Sequence, residues 1–112
     1  MQRDSQAFLL DVVDAGEAIL EDVRGLSLVD YCARRLIRSA VEREFILIGE
    51  ALANLSRVDP ALFAKIDHGR QIIGFRNKLS HDYAKVDHAL VWGVIETYLP
   101  DLLETCRCLV KG

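Results

Sequence analysis

Between Leu90 and Val110 the apolar residues Leu90, Val91, Val94, Ile95, Tyr98, Leu99, Leu102, Leu103, Cys106, Leu109 and Val110 recur three and four apart, the spacing of one face of a helix. A face that wide must be covered, and in an all-helical chain only other helices can cover it. The same spacing holds for five turns through Leu36, Ile37, Ala40, Val41, Leu47, Ile48, Ala51, Leu52 and Leu55, and again through Phe8, Leu9, Val12, Val13, Ile19, Leu20 and Val23. No segment shows the strict alternation of a half-buried strand, and neither an internal repeat nor a low-complexity linker is present. The pattern predicts an all-α fold, an up-and-down bundle of four to five helices. Its very apolar last helix suggests that part of the surface is hidden against a second copy, so a homodimer is expected.

Local signals place the boundaries. Asp4 or Ser5 can cap the first helix, which Arg24-Gly25 ends. The second is expected to run unbroken from about Ser27 to Asp30 as far as Ser56, the spine of the fold. Asp59-Pro60 opens a short helix to about Ala64, and His68-Gly69 breaks the chain before a fourth helix that starts near Arg70. Asp87 caps the fifth, in which Pro100 predicts a bend or a fresh start near Leu99.

With 112 residues the chain fits one domain, taken as 1–112. At 51% hydrophobic and 28% charged residues it is too apolar to be disordered. Cys32, Cys106 and Cys108 are an odd number without zinc-like spacing, which fits reduced thiols and no metal centre. No run of 18 apolar residues occurs and the amino terminus has no secretory pattern; the expectation is a cytoplasmic protein that does not enter membranes.

Net charge is −3, which excludes a protein that coats nucleic acid wholesale. The charge is unevenly spread, however. From His68 to Lys85 the basic residues Arg70, Arg76, Lys78 and Lys85 face Asp82 alone. Inside this positive island lies RNKLSHDY, residues 76 to 83, in which only Leu79 is apolar. The octet reads either as a solvated helix end or as the functional site.

Arginine offers a planar fork for phosphate and a permanent charge for a pentacoordinate transition state, and a histidine exchanges protons near neutrality. Arg76 and His81 therefore suit metal-free RNA cleavage, in which the 2′-oxygen attacks the adjacent phosphorus and leaves a 2′,3′-cyclic phosphate. Five helical residues separate their directions by about 140°. Either the helix ends near Leu79 or Ser80 and swings the histidine round, or Arg76 meets a histidine from a second copy. Ser80, four residues after Arg76, can orient it; Lys78 and Lys85 read as solvated charges or as RNA phosphate contacts. Glu44 falls on or beside the apolar stripe of the second helix. It either reaches water from the edge of that stripe or, like Glu42 or Glu50 on neighbouring faces, pairs with Arg76.

The stretch IIGFRNKLSHDYAKVDHALVWGVIETYLPDL resembles the HepT-like proteins of the HEPN superfamily (higher eukaryotes and prokaryotes nucleotide-binding), marked by Arg-x4-His-x-Tyr. Arg76, Asn77, His81 and Tyr83 match it, as do Asp87, Val91-Trp92, residues 98 to 102 and the upstream ILIGEAL. The likeness covers roughly residues 5 to 110. Ala84 and Ser80 depart from the aromatic and the Ile or Val usual at those places, which bears on substrate fit.

The resemblance implies a dimer in which two motifs converge, and a metal-independent endoribonuclease that needs no cofactor. It also implies the toxin of a prokaryotic type VII toxin–antitoxin pair, neutralised when a cognate MntA-like nucleotidyltransferase attaches AMP to Tyr83. By role, Arg76 stabilises the phosphate, His81 is the acid/base or orients, Asn77 supports and Tyr83 is modified. The alternative is a non-catalytic helical module that binds nucleotide or pairs with a nucleotidyltransferase.

Overall fold

The computed structural model describes residues 4–81 and 85–111. Among them there is no strand, and seven helices follow in order: α1 Ser5–Asp22, α2 Leu28–Ala33, α3 Arg35–Val58, α4 Pro60–Phe63, α5 Gly69–His81, α6 His88–Thr97 and α7 Leu99–Leu109. Five of these are long and form the expected all-α bundle; α2 and α4 are short, with six and four residues.

The cap residues act as their chemistry requires. Asp4 accepts from the Gln6 amide, Asp59 from Leu62, and Asp87 from both Ala89 and Leu90, satisfying amides that a helix start leaves without partners. Pro100 sits in the first turn of α7, and the stripe from Leu90 to Val110 is accordingly divided at Tyr98.

α3 is the spine, with α1 along one side and α5 along another, and α7 packs beside α1. Leu9, Ile19, Phe45, Ile48, Leu52, Leu55, Ile72, Leu102 and Leu103 meet in one buried core. Each buried aliphatic side chain of this kind contributes about 1.5–3 kcal/mol relative to exposure. The two ends of the chain are tied by Gln6, whose side chain donates to the Leu109 carbonyl at 3.3 Å and accepts from the Lys111 amide at 2.7 Å.

The expected continuous second helix is broken at Arg34, which is extended at φ −111° and ψ 92°. No glycine or proline causes this. Ser27 and Asp30 form a reciprocal capping box that starts α2 separately. The break then lets α2 cross to α6, where Tyr31 is fully buried with its ring 5.4 Å from that of Trp92. Arg38 donates to the Cys32 carbonyl, taking up one acceptor freed at the end of α2. Leu36, counted in the apolar stripe, is left 87% exposed by the turn, and Cys32 is exposed too. Cys106 is buried, and burial pushes its thiol up to about 12.

The break before α5 falls on His68, which takes a positive φ of 65°. Its ring stacks on Tyr98 at 4.7 Å and its Nε2 lies 3.2 Å from the Asp101 carboxylate, fastening the start of α5 to α7. Gly69 is already helical and lies against the Phe63 ring, too close to accept a side chain.

Candidate active site

α5 carries most of the polar octet. Phe75 and Leu79 are its buried positions there and lock the helix onto α3, Phe75 meeting Phe45 edge to face at 5.1 Å and 86°. Between them Arg76 is half-buried, whereas Asn77, Lys78, Ser80 and His81 are exposed. The basic side chains Lys78 and His81 occupy the last turn, where helix carbonyls favour them.

Arg76 is held by a close crossing of two helices. Its stem runs over Gly49 of α3, and a methylene added there would stand 2.5 Å from Arg76 Cγ and closer still to its Cβ. A glycine inside a helix lowers its stability by about 1 kcal/mol relative to alanine, and here the close approach is what it provides. Arg76 Nε lies on the covered side with no hydrogen-bond partner among the described residues. Nor does any ion pair among the described residues hold the guanidinium.

Glu44 is not brought to Arg76. It stands five residues before Gly49, about 140° round the helix, and lines the groove between α1 and α3 with Asp14 and Glu50. Burial raises its pKa and the nearby Asp22 carboxylate raises it further. Glu42, seven residues before Gly49, shares that glycine's face. Its pKa is raised by burial, opposed by His88 and Arg38. Around it the Tyr31 hydroxyl and His88 Nδ1 are both buried without a partner among the described residues. Glu42 thus belongs to a polar corner of α2, α3 and α6, about 10 Å along α3 from the Arg76 crossing.

α5 remains helical through His81, so the histidine is not swung round by an early helix end. Within one chain Arg76 and His81 diverge by about 140° and are offset by about 7.5 Å along the axis. Lys78 and Lys85 line one cleft between α5 and the start of α6. Ser80 is exposed and no hydrogen bond to Arg76 is formed among the described residues. Tyr83 lies outside the described residues. No three His, Cys, Asp or Glu residues come together as a metal site among the described residues, and no helix there is long and apolar enough to cross a membrane.

Periodicity alone does not single out Gly49, although the only glycine within the stripe from Leu36 to Leu55 marks where another backbone comes close. His88 and Tyr31 carry no sequence signal, because nothing local predicts that they share a corner with Glu42.

An all-α bundle with Arg76, Asn77, Lys78, Ser80 and His81 on one helix anchored to its spine has the construction of a HEPN domain. More narrowly, the chain belongs to the family described as Ribonuclease HepT-like, which matches residues 14–109. Among its relatives is a protein of Thermococcus cleftensis named "Probable ribonuclease HepT", 30% identical over 102 residues, or 91% of this chain and 92% of that one. A protein of Methanocaldococcus jannaschii named as a proposed RNase is 27% identical over 101 residues, 90% of this chain and 92% of its own length. Another such protein, from Caldanaerobacter subterraneus, is 30% identical over 95 residues, 85% and 84% of the two chains. No solved structure matches the chain.

Proposed function

We propose that this protein is an endoribonuclease that cleaves RNA without a metal ion, acting as one 1–112 domain. The observation that carries the reading is Arg76, half-buried against Gly49 and without an acidic partner among the described residues, in a chain of 17 Asp and Glu. A fixed guanidinium without a carboxylate is suited to an oxyanion that arrives with the substrate. The family match and the relatives' names support RNA as that substrate.

In this mechanism a base takes the proton of the ribose 2′-hydroxyl and the oxygen attacks the adjacent phosphorus. Arg76 stabilises the phosphorane, and the 5′-oxygen leaves with a proton, giving a 2′,3′-cyclic phosphate and a 5′-hydroxyl. His81 supplies the proton transfer, with Asn77 and Ser80 supporting and Lys78 and Lys85 holding flanking phosphates. Because the two side chains diverge on one helix, the site is completed by a homodimer that sets Arg76 of one copy beside His81 of the other.

The same reading makes the protein a type VII toxin of the prokaryotic cytoplasm, silenced by an MntA-like nucleotidyltransferase. The phenol oxygen of Tyr83 attacks the α-phosphorus of ATP, loses its proton and releases pyrophosphate. The attached nucleotide puts negative charge two residues from His81, which repels an RNA phosphate.

The test is incubation of the purified protein with total RNA or tRNA in excess EDTA, beside an Arg76→Ala/His81→Ala double mutant. Cleavage by the first alone, with a cyclic phosphate at the new end, is expected. Intact RNA in both, with Tyr83 unmodified by mass spectrometry, would replace the enzyme with a non-catalytic binding module. Tyr83→Phe should escape neutralisation by the partner; a variant still neutralised would remove Tyr83 as the switch.

A further inference from the structure

Beside the Arg76 turn, α5 and the entry to α6 enclose a cleft of about 320 Å³. Its floor is apolar, built from Phe75 and Leu79 on one side and Val86 and Leu90 on the other. Leu90 is 47% exposed, an apolar side chain left half-covered on a wall of the cleft. Lys78 and Lys85, both exposed, line it from α5 and from the segment leading into α6. Among the described residues the acidic member of the lining is Asp87, whose carboxylate is committed to the Ala89 and Leu90 amides at 3.0 and 3.2 Å. Two ammonium groups over an apolar floor therefore face whatever enters, in a chain whose net charge is −3.

The cleft adjoins the candidate active site: Phe75 directly precedes Arg76 and Leu79 follows it by three residues, on the same helix. A ligand in the cleft that continues past Arg76 must have negative charge at both places and a flat or apolar part between them. A strand of RNA has this composition, with phosphates at each step and a base that can leave the stack.

We propose that the α5–α6 cleft is a subsite for one unpaired nucleotide next to the scissile phosphate, its base on the apolar floor and its phosphates against Lys78 and Lys85. The proposal rests on the ribonuclease reading for its substrate class. It has a consequence for selectivity: a paired base cannot reach the floor, so the protein engages single strands and loops and passes over continuous duplex.

The experiment measures binding of a 2′-O-methyl oligoribonucleotide, which cannot undergo the transfer, by fluorescence anisotropy. The full chain is compared with Leu90→Gln and Lys78→Ala/Lys85→Ala. Gln matches Leu in size, adds no charge and is accepted near a helix start, and circular dichroism confirms that α6 is kept. The wild type should bind the strand at least about tenfold more tightly single than paired, and Leu90→Gln should lose most of that difference, as expected for one base removed from its contact. The double lysine variant should weaken both forms and flatten the salt dependence.

Equal binding by Leu90→Gln and the wild type, with RNA still cut in EDTA, would overturn the cleft and leave the ribonuclease standing. Loss of single-strand preference in Leu90→Gln with no RNA cut by the wild type would uphold the cleft and remove the ribonuclease. Binding of a Glu-rich peptide but not of RNA would assign the cleft to a protein and overturn the proposal.

Discussion

Gly49 and Arg76 mark a closest approach of α3 and α5: the arginine stem fills the space that any other residue at position 49 would need. A methyl group there must push either α5 or the guanidinium away. Gly49→Ala gains about 1 kcal/mol of helix propensity but incurs an overpacking cost of about 1–3 kcal/mol. Urea denaturation should show a net loss of up to about 2 kcal/mol, and RNA cleavage should fall on the order of tenfold or more as Arg76 is displaced. Unchanged stability and unchanged cleavage together would mean that the crossing is looser in solution.

How much of this arrangement can be read from residues alone depends on how local its cause is. Asp4, Asp59 and Asp87 cap helices, and Pro100 divides the last stripe, through contacts within a few positions, and all four are legible in the sequence. The break at Arg34 is not, because what the turn provides, Tyr31 packed on Trp92, involves a helix more than fifty residues away in sequence. That same turn exposes Leu36, whose spacing alone puts it on the buried stripe. At the site, the polar octet stands out by composition, and within it Arg76 is half-buried against Gly49. The support beneath it is not legible locally, because Gly49 meets the Arg76 stem across two helices, and Glu44, which periodicity places at the stripe edge, lines the α1–α3 groove instead.

Arg76 has no acidic partner to orphan among the described residues, so its removal should separate activity from stability. Arg76→Lys keeps the charge but loses the planar fork and Nε. Cleavage is expected to fall on the order of 10²-fold, the loss typical of one preorganised oxyanion donor. The urea midpoint should stay near that of the wild type. A large loss of stability would instead reveal a structural partner for the guanidinium.

The Tyr31 hydroxyl is buried without a partner among the described residues, while its ring packs on Trp92. Tyr31→Phe keeps the ring and removes the unsatisfied group, whose burial costs about 1–3 kcal/mol. The variant should be as stable as the wild type or up to about 1 kcal/mol more so, whereas Tyr31→Ala should lose about 3–5 kcal/mol through the cavity it leaves. Destabilisation of Tyr31→Phe would show that the hydroxyl is bonded in solution.

Glu42 gives a pH dependence with a definite sign. Burial raises its pKa above the ordinary value of 4.5, with Arg38 and His88 opposing, so the folded chain holds a proton that the unfolded chain has released. Stability attributable to this group therefore declines as pH rises above about 4.5, until Glu42 is ionised in both states. Among the described residues, Tyr31 and Cys32 from α2, Arg38 on α3 and His88 from α6 are the other titratable groups of that corner. Glu42→Gln removes the titration, and its stability relative to the wild type should improve as pH rises above about 4.5 in a urea series. Glu44→Gln should shift in the same direction, since burial and Asp22 raise that group as well, but it faces the α1–α3 groove and should leave RNA cleavage unchanged. Parallel pH curves for Glu42→Gln and the wild type would place the Glu42 carboxylate in water, and lost cleavage in Glu44→Gln would return that residue to the site.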